Sequence, residues 1–323
     1  MKNYIFKRIL TGLLVVAVVF VLNFFIIQLA PGSPVSVLAG RDNPSQELMD
    51  NLNEKYGLDQ PIHIQLGRYL KNYLKGDLGQ SVLYNQPVSK LIWDTVVPSL
   101  LLTLTGSILA LIIGTLIGLY CATHSGGVID RFFTAISYVL NSMPSFWLGL
   151  MFIMLFATGL GWFPTSGIVD LRANYTGIYY AMDVLWHLAM PVTVLTLIQI
   201  PIYFKISKSS VTQVLAEDFI TTFRATGMSK KKIYNKYVFK NSILPVVTVF
   251  GINIAFIITG SALIEMVFGW PGTGRLMMSS IMSRDYPLIM GIYLILSLSI
   301  AVMMIVVDLI YGYIDPRIRN SYS

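Results

Sequence analysis

Charge, cysteine and histidine are all scarce in this 323-residue chain, and each shortage excludes something. Asp, Glu, Lys and Arg supply 12% of the residues and apolar types 55%, against about 25% charge in an ordinary soluble domain. That balance excludes a soluble globular domain and indicates a polytopic membrane protein. The single cysteine, Cys121, rules out a disulfide within the chain, and inside an apolar run it reads as a packed small hydrophobe rather than a nucleophile. His63, His124 and His187 are scattered, so no dedicated metal cage is expected. No Gly-x-x-x-x-Gly-Lys-Ser/Thr phosphate loop occurs, and the glycines from Gly269 to Gly274 lack its spacing. The chain is therefore expected to bind no cofactor and to hydrolyse no ATP by itself.

What is present is six windows free of charged side chains, residues 9–40, 95–129, 132–169, 184–204, 241–264 and 286–307. Each can cross the ~30 Å of hydrocarbon, which takes about 20 apolar residues. The first apolar run, Ile9 to about Leu29, follows Lys2, Lys7 and Arg8 as a secretory signal would. It exceeds the roughly 7–15 residues of a signal core and has no small-x-small site before Pro31, so a retained first span is predicted. Six spans with a cytoplasmic amino terminus return the carboxyl terminus to the cytoplasm. The inner side then holds 14 basic and 5 acidic residues, a surplus of +9, and the outer side 9 basic and 11 acidic, −2. That is the positive-inside pattern.

Of acids and bases the windows hold only two histidines, His124 at the end of the second and His187 near an interface, while Glu265 and Asp308 stand at span ends. A proton- or sodium-driven carrier places acids, bases or broken helices near the midplane, and a membrane-embedded enzyme needs clustered reactive groups. Both rival classes are disfavoured, and the driving force has to enter elsewhere.

Three divisions are predicted: residues 1–30 as the amino-terminal end and first span, 31–98 as an extracytoplasmic helical lobe, and 99–323 as the core carrying the other five spans. In the lobe, Ser45 caps a helix ending at Tyr56-Gly57, and Pro61 opens another running to Lys75-Gly76 whose apolar face is Ile62, Leu66, Tyr69, Leu70 and Tyr73. Pro144 kinks the third span, which ends near Gly159-Leu160-Gly161, and Pro191 and Pro201 bend the fourth, from about Leu185 to Phe204. The fifth runs from about Leu244 to Met266.

Between the fourth and fifth spans lies the one long basic stretch, Lys205 to Pro245. Val211, Leu215, Phe219 and Phe223 recur at helical i, i+4 spacing and give one helix an apolar face. Gly227 ends that helix, Ser229 caps a new start, and Lys230, Lys231, Lys232, Lys236 and Lys240 precede Pro245. Lysines that only enforced topology would account for the charge but not for Phe219 and Phe223. A docking surface for a cytoplasmic partner is therefore expected on that apolar face, and the resemblance of this stretch to a known family implies that the contact takes in Asp218, Phe219, Thr222, Phe223, Arg224, Ala225, Thr226, Gly227, Met228, Ser229, Leu244 and Pro245.

This stretch resembles the EAA loop of the inner-membrane permeases of ABC importers for oligopeptides, dipeptides and nickel. Gly227 and Leu244-Pro245 match its glycine and Leu-Pro, with Pro245 18 positions after Gly227, and Thr221-Thr222-Phe223 stand where the motif has Glu-Ala-Ala. Arg224-Ala225-Thr226-Gly227 is typical of the peptide and nickel branch. Ala30 to Pro34, Tyr56 to Pro61, Gly76 to Ser81, Glu265 to Arg275, Arg284 to Pro287 and Asp308 to Arg317 are similar to further phrases of this family, of its first permease in particular. The resemblance implies an all-α, six-span type I ABC importer permease in a bacterial inner membrane. It also implies a second homologous permease, two cytoplasmic ATPases carrying ATP and magnesium, and an extracytoplasmic substrate-binding protein; a nucleic-acid partner is not expected. Alternating access would be driven by ATPase closure acting on the loop around Gly227. The cargo implied is an oligopeptide or dipeptide, with nickel or a metal chelate as the alternative. Glu265, Pro271, Gly272, Gly274, Arg275, Arg284 and Asp285 are candidates for an outer gate or for structural roles. Glu265 reads equally as a gate and as an acceptor of backbone N–H groups.

Overall fold

The computed structural model describes residues 2–29, 60–257 and 260–314. The expected helix from Ser45 to Tyr56, the phrases at Ala30 and Tyr56, and Arg317 and Arg319 lie outside them. The described elements are helices: α1 (Lys2–Leu29), α2 (Ile62–Leu74), α3 (Val88–Thr123), α4 (Val128–Ser142), α5 (Ser145–Phe152) continued by a π-helical turn Ile153–Gly159, and α6 (Ile178–Leu215). There follow α7 (Asp218–Ala225), α8 (Lys230–Lys232) with a π-helical turn Ile233–Val238, α9 (Phe239–Ala255), α10 (Ala262–Val267), α11 (Thr273–Met282) and α12 (Tyr286–Ile314).

Five stretches are long and apolar enough to cross a membrane: Arg8–Leu29, Val88–Thr123, Ile178–Leu215, Lys230–Ile254 and Tyr286–Val307. A sixth crossing is supplied if the pair Val128–Ser142 and Ser145–Gly159 counts as one. All six predicted windows thus find a counterpart, with four differences. The third is no kinked helix but a pair bent by 103° around Met143 and Pro144. Pro144 lacks an N–H and disfavours helical backbone at Met143, which sits extended at ψ 130. α6 runs through Pro191 and Pro201 without a break and reaches Leu215. The fifth span begins at Lys230 and its helix ends at Ala255, so Glu265 stands on a separate short helix. The second span begins at Val88, earlier than its window.

The chain forms two compact units. The first comprises residues 1–99, 258–262 and 271–323. Here α1 lies along α12, with Gly12 facing Ala301 closely enough that an added Cβ would meet its methyl at 3.4 Å. The predicted apolar face of α2 is half right: Leu66, Tyr69 and Tyr73 pack on Phe20, Phe24 and Met290, while Ile62 and Leu70 remain exposed. Ring centroids 5.6 Å (Phe20–Tyr73) and 6.0 Å (Phe24–Tyr69) apart tie α2 to α1 edge to face. Gln28 donates to Gln65 at 2.8 Å, a half-buried polar link the apolar pattern did not foretell.

The second unit comprises residues 100–257 and 263–270. Its core joins Leu102, Leu188, Val194, Leu195, Ile264 and Trp270. Gly106, Gly114 and Gly118 form a stripe on α3 that brings it against α6. A Cβ at Gly118 would lie 2.7 Å from the Phe204 carbonyl oxygen, and one at Gly114 2.9 Å from that of Ile200. Small residues at such crossings let backbones approach and hydroxyls reach across. Ser207 Oγ donates to the Thr115 carbonyl at 3.1 Å, Thr196 Oγ1 to that of Gly106 at 3.2 Å, and Ser107 Oγ to Gln199 at 3.1 Å.

Candidate functional site

The basic stretch is a helix, a turn and a second helix laid on an internal core. α6 stops at Leu215 because Ala216 tightens its last turn and Glu217 is extended at ψ 144, which redirects the chain into α7. The single helix expected over Val211 to Phe223 is therefore two. The apolar residues still converge: Val211, Ile220, Ile233, Val238 and Ala122 are buried together, with Leu215, Phe219, Phe223 and Met228 packed around them. Ile220, outside the i, i+4 series, is the fully buried residue of α7.

Gly227 closes α7 in a Schellman turn. Its amide donates to the Arg224 carbonyl at 3.1 Å and the amide of Met228 to that of Phe223 at 3.1 Å, while Gly227 takes φ +76. Met228 and Phe223 share the cluster, which is the apolar contact that accompanies this turn. Ser229 occupies the cap position of the next helix with extended backbone, but its side chain makes no capping bond.

Phe219 and Phe223 meet edge to face at 5.8 Å, and Phe223 lies 4.3 Å from the ring of Tyr237. The aromatic face counted as a docking surface is thus used within the chain. What remains exposed is a polar edge formed by Asp218, Thr222, Arg224, Ala225, Thr226, Gly227 and Ser229. Beside it a cleft of about 670 Å³ opens between Leu116, Tyr120, His124, Lys230, Tyr234 and Phe239. Leu244 is half-buried and Pro245 exposed, both inside α9 and away from the turn in sequence.

The outer candidates separate into different places. Glu265 is completely buried on α10, and its carbonyl accepts the amide of fully buried Trp270 at 2.8 Å. Gly272 caps α11, whose first amide, Thr273, donates to Ser99 Oγ at 2.7 Å; Gly274 is buried, Pro271 half-buried and Arg275 exposed. Arg284 adopts φ +55 and ends α11 in a second Schellman turn: its amide donates to Ile281 at 3.1 Å and that of Asp285 to Ser280 at 2.9 Å. Asp285 is fully buried. It caps α12 by accepting from the Leu288 amide at 3.2 Å, and it accepts from Ser81 Oγ at 2.6 Å and the Leu83 amide at 3.0 Å.

Residues 114–320 match the family model described as binding-protein-dependent transport system inner membrane component, and residues 1–103 match its amino-terminal counterpart. The chain is 35% identical over 320 residues to the oligopeptide transport system permease protein AppB of Bacillus subtilis, covering 99% of this chain and 100% of that one. It is 35% identical over 319 residues to the glutathione transport system permease protein GsiC of Salmonella paratyphi A, covering 99% of each. A solved structure titled as inward-facing conformations of the MetNI methionine ABC transporter shares the fold at TM-score 0.55 and 17% identity, over 70% of this chain and 97% of that one. With the two family models matching residues 1–103 and 114–320 and relatives aligned over 99% of its length, the chain belongs to the binding-protein-dependent transport system inner membrane components.

Proposed function

We propose that the chain is one permease of an ATP-driven importer that takes up peptides delivered by an extracytoplasmic binding protein. The observation that carries this reading is the α7 turn: a short helix seated on the chain's own core, closed by Gly227, with its polar edge exposed. Such an element is rigid enough to pass on a push and polar enough to release its partner, which coupling between sites requires. Two ATPases holding ATP and magnesium press on this edge from the cytoplasm, a second permease completes the pathway, and both termini are cytoplasmic. The full-length relatives named for oligopeptides and glutathione support a peptide cargo. The exposed charges of α2, Arg68, Lys71 and Lys75, suit a reversible contact with the binding protein, with cargo selection lying upstream in that protein.

The test is reconstitution of the chain with the permease, ATPases and binding protein encoded beside it. ATP-dependent uptake of labelled peptides that needs all the subunits is the expected result. Uptake of nickel or a chelate in preference to any peptide would replace the cargo, and uptake by this chain alone under an ion gradient would overturn the reading.

A further inference from the structure

α4 is inverted for a helix of a water-soluble fold: its buried residues are Asp130 and Ser137, while Val128, Phe132 and Val139 are exposed. The stripe Asp130, Thr134, Tyr138, spaced i, i+4, i+8, faces Lys208 and Lys205 of α6. The Asp130 carboxylate accepts from the Lys208 ammonium, from the Gly126 amide at 3.0 Å and from Thr134 Oγ1 at 3.4 Å. Lys208 also donates to Thr134 at 3.2 Å, and the Lys205 ammonium lies 4.7 Å over the Tyr138 ring. Side-chain exposure is 8% for Asp130 and 25% for Lys208. One carboxylate therefore fastens three pieces: the turn after α3, the start of α4, and α6.

Position gives that fastening a role. Lys208 lies seven residues before Leu215, about 10 Å along the axis at 1.5 Å per residue, and α7 hangs from Leu215. α3 and α6 are locked by the glycine stripe, whereas the inner half of α4 reaches α6 through polar contacts of fixed geometry. A charged pair of this kind holds register, and removing one partner leaves an uncompensated buried group.

We propose that Asp130 and Lys208 are positioning residues forming a clamp that makes the inner half of α4 move as one body with the stem of α7. This rests on the permease reading above. Motion imposed at α7 then reaches the bent α4–α5 pair through the clamp, and without it α6 moves while α4 lags.

The experiment uses the reconstituted importer in a Cys121→Ser background. Spin labels at Val128→Cys and Thr212→Cys, both exposed positions, report the α4–α6 distance without nucleotide and with trapped ATP. In the parent this distance is the same in both states. In Asp130→Asn and in Lys208→Gln it changes with nucleotide, and cargo moved per ATP hydrolysed falls about tenfold, the size of an ordinary coupling free energy; Lys208→Arg retains parental values. Neutral variants that keep the parental distance and the parental cargo-to-ATP ratio would overturn the clamp, as would a changed distance with unchanged ratio. Failure of both neutral variants to assemble would assign the pair to folding and equally overturn it. A parent complex that neither assembles nor transports would refute the permease reading and the clamp together, so the two failures are distinct.

Discussion

Ser81 donates its hydroxyl to a carboxylate oxygen of Asp285 at 2.6 Å, joining positions 204 residues apart in sequence. The same Ser81 oxygen accepts the Tyr84 amide at 3.1 Å, so the turn before α3 is tied to the cap of α12 through two side chains. Asp285→Ala strands three donors that face a buried acceptor. It is expected to destabilise the first unit by on the order of 3 kcal/mol, and Ser81→Ala by less. Thermal unfolding of the purified protein in mild detergent measures both, and an Asp285→Ala melting curve superimposable on the parent's would show that this knot is dispensable.

Two glycines with open space for a methyl group should respond with opposite sign. Gly227 holds φ +76, and Gly67 sits inside α2 with ordinary helical backbone; neither has an atom within 4 Å of an added Cβ. Gly227→Ala is expected to cost about 1–2 kcal/mol for left-handed backbone, and Gly67→Ala to gain up to about 1 kcal/mol of helix propensity. Unfolding midpoints of the two variants decide the matter: equal shifts would deny that the turn conformation governs Gly227.

Along the glycine stripe, the cost should follow what the new methyl meets. Gly118→Ala and Gly114→Ala press on carbonyl oxygens at 2.7 and 2.9 Å, whereas Gly106→Ala meets only the Leu195 side chain, at 2.7 Å. Overpacking of this kind costs roughly 1–3 kcal/mol, with the backbone clashes at the upper end. The yield of monodisperse protein after size-exclusion chromatography should rank parent, Gly106→Ala, Gly114→Ala and Gly118→Ala in falling order. A Gly106→Ala variant worse than Gly118→Ala contradicts the close α3–α6 crossing.

Docking on α7 separates from folding of α7. Arg224→Glu alters only the exposed edge and should keep the parental melting temperature while losing copurified ATPase. Phe223→Glu buries a carboxylate among Phe219, Tyr237 and Met228 at a cost of several kcal/mol and should unfold the loop itself. Full ATPase recovery with Arg224→Glu would move the docking surface elsewhere.

The charge division predicts a topology that labelling can test. In a Cys121→Ser background, Asn72→Cys on α2 should react with an impermeant thiol reagent added to intact cells, and Ser229→Cys only after the cells are opened. The reverse pattern would invert the whole assignment.

Much of this was readable in sequence because the bilayer allows few answers. Each of the six charge-free windows has a counterpart in the five long apolar helices and the bent α4–α5 pair, and Gly227 marks the turn. Misreadings arose where a local rule met a tertiary partner. The i, i+4 series through Phe219 and Phe223 predicts an apolar docking face, and the counterparts that pack on it within the chain, Tyr237 and Val238, lie beyond the turn. In sequence Asp130 and Lys208 are only charges flanking apolar windows, and nothing in their spacing of 78 positions announces a pair. The stripe at Gly106, Gly114 and Gly118 keeps helical spacing, yet the α6 backbone it admits does not show in that spacing. The contacts of Asp285 are not legible either, since Ser81 and Leu83 lie about two hundred positions earlier in the chain.

The corner at Pro144 also bears on how the protein is made. α4 and the continuous stretch from Ser145 to Gly159 are each 15 residues, hence about 22 Å long, short of the ~30 Å hydrocarbon core. Neither half can enter the bilayer from the insertion machinery as an independent crossing, and the bend leaves backbone groups near Met143 that lipid cannot hydrogen-bond. Integration of this segment must therefore await neighbours synthesised later, α6 above all. A nascent chain halted after Leu171 should leave residues 128–159 extractable, while one halted after Lys240 should hold them firmly.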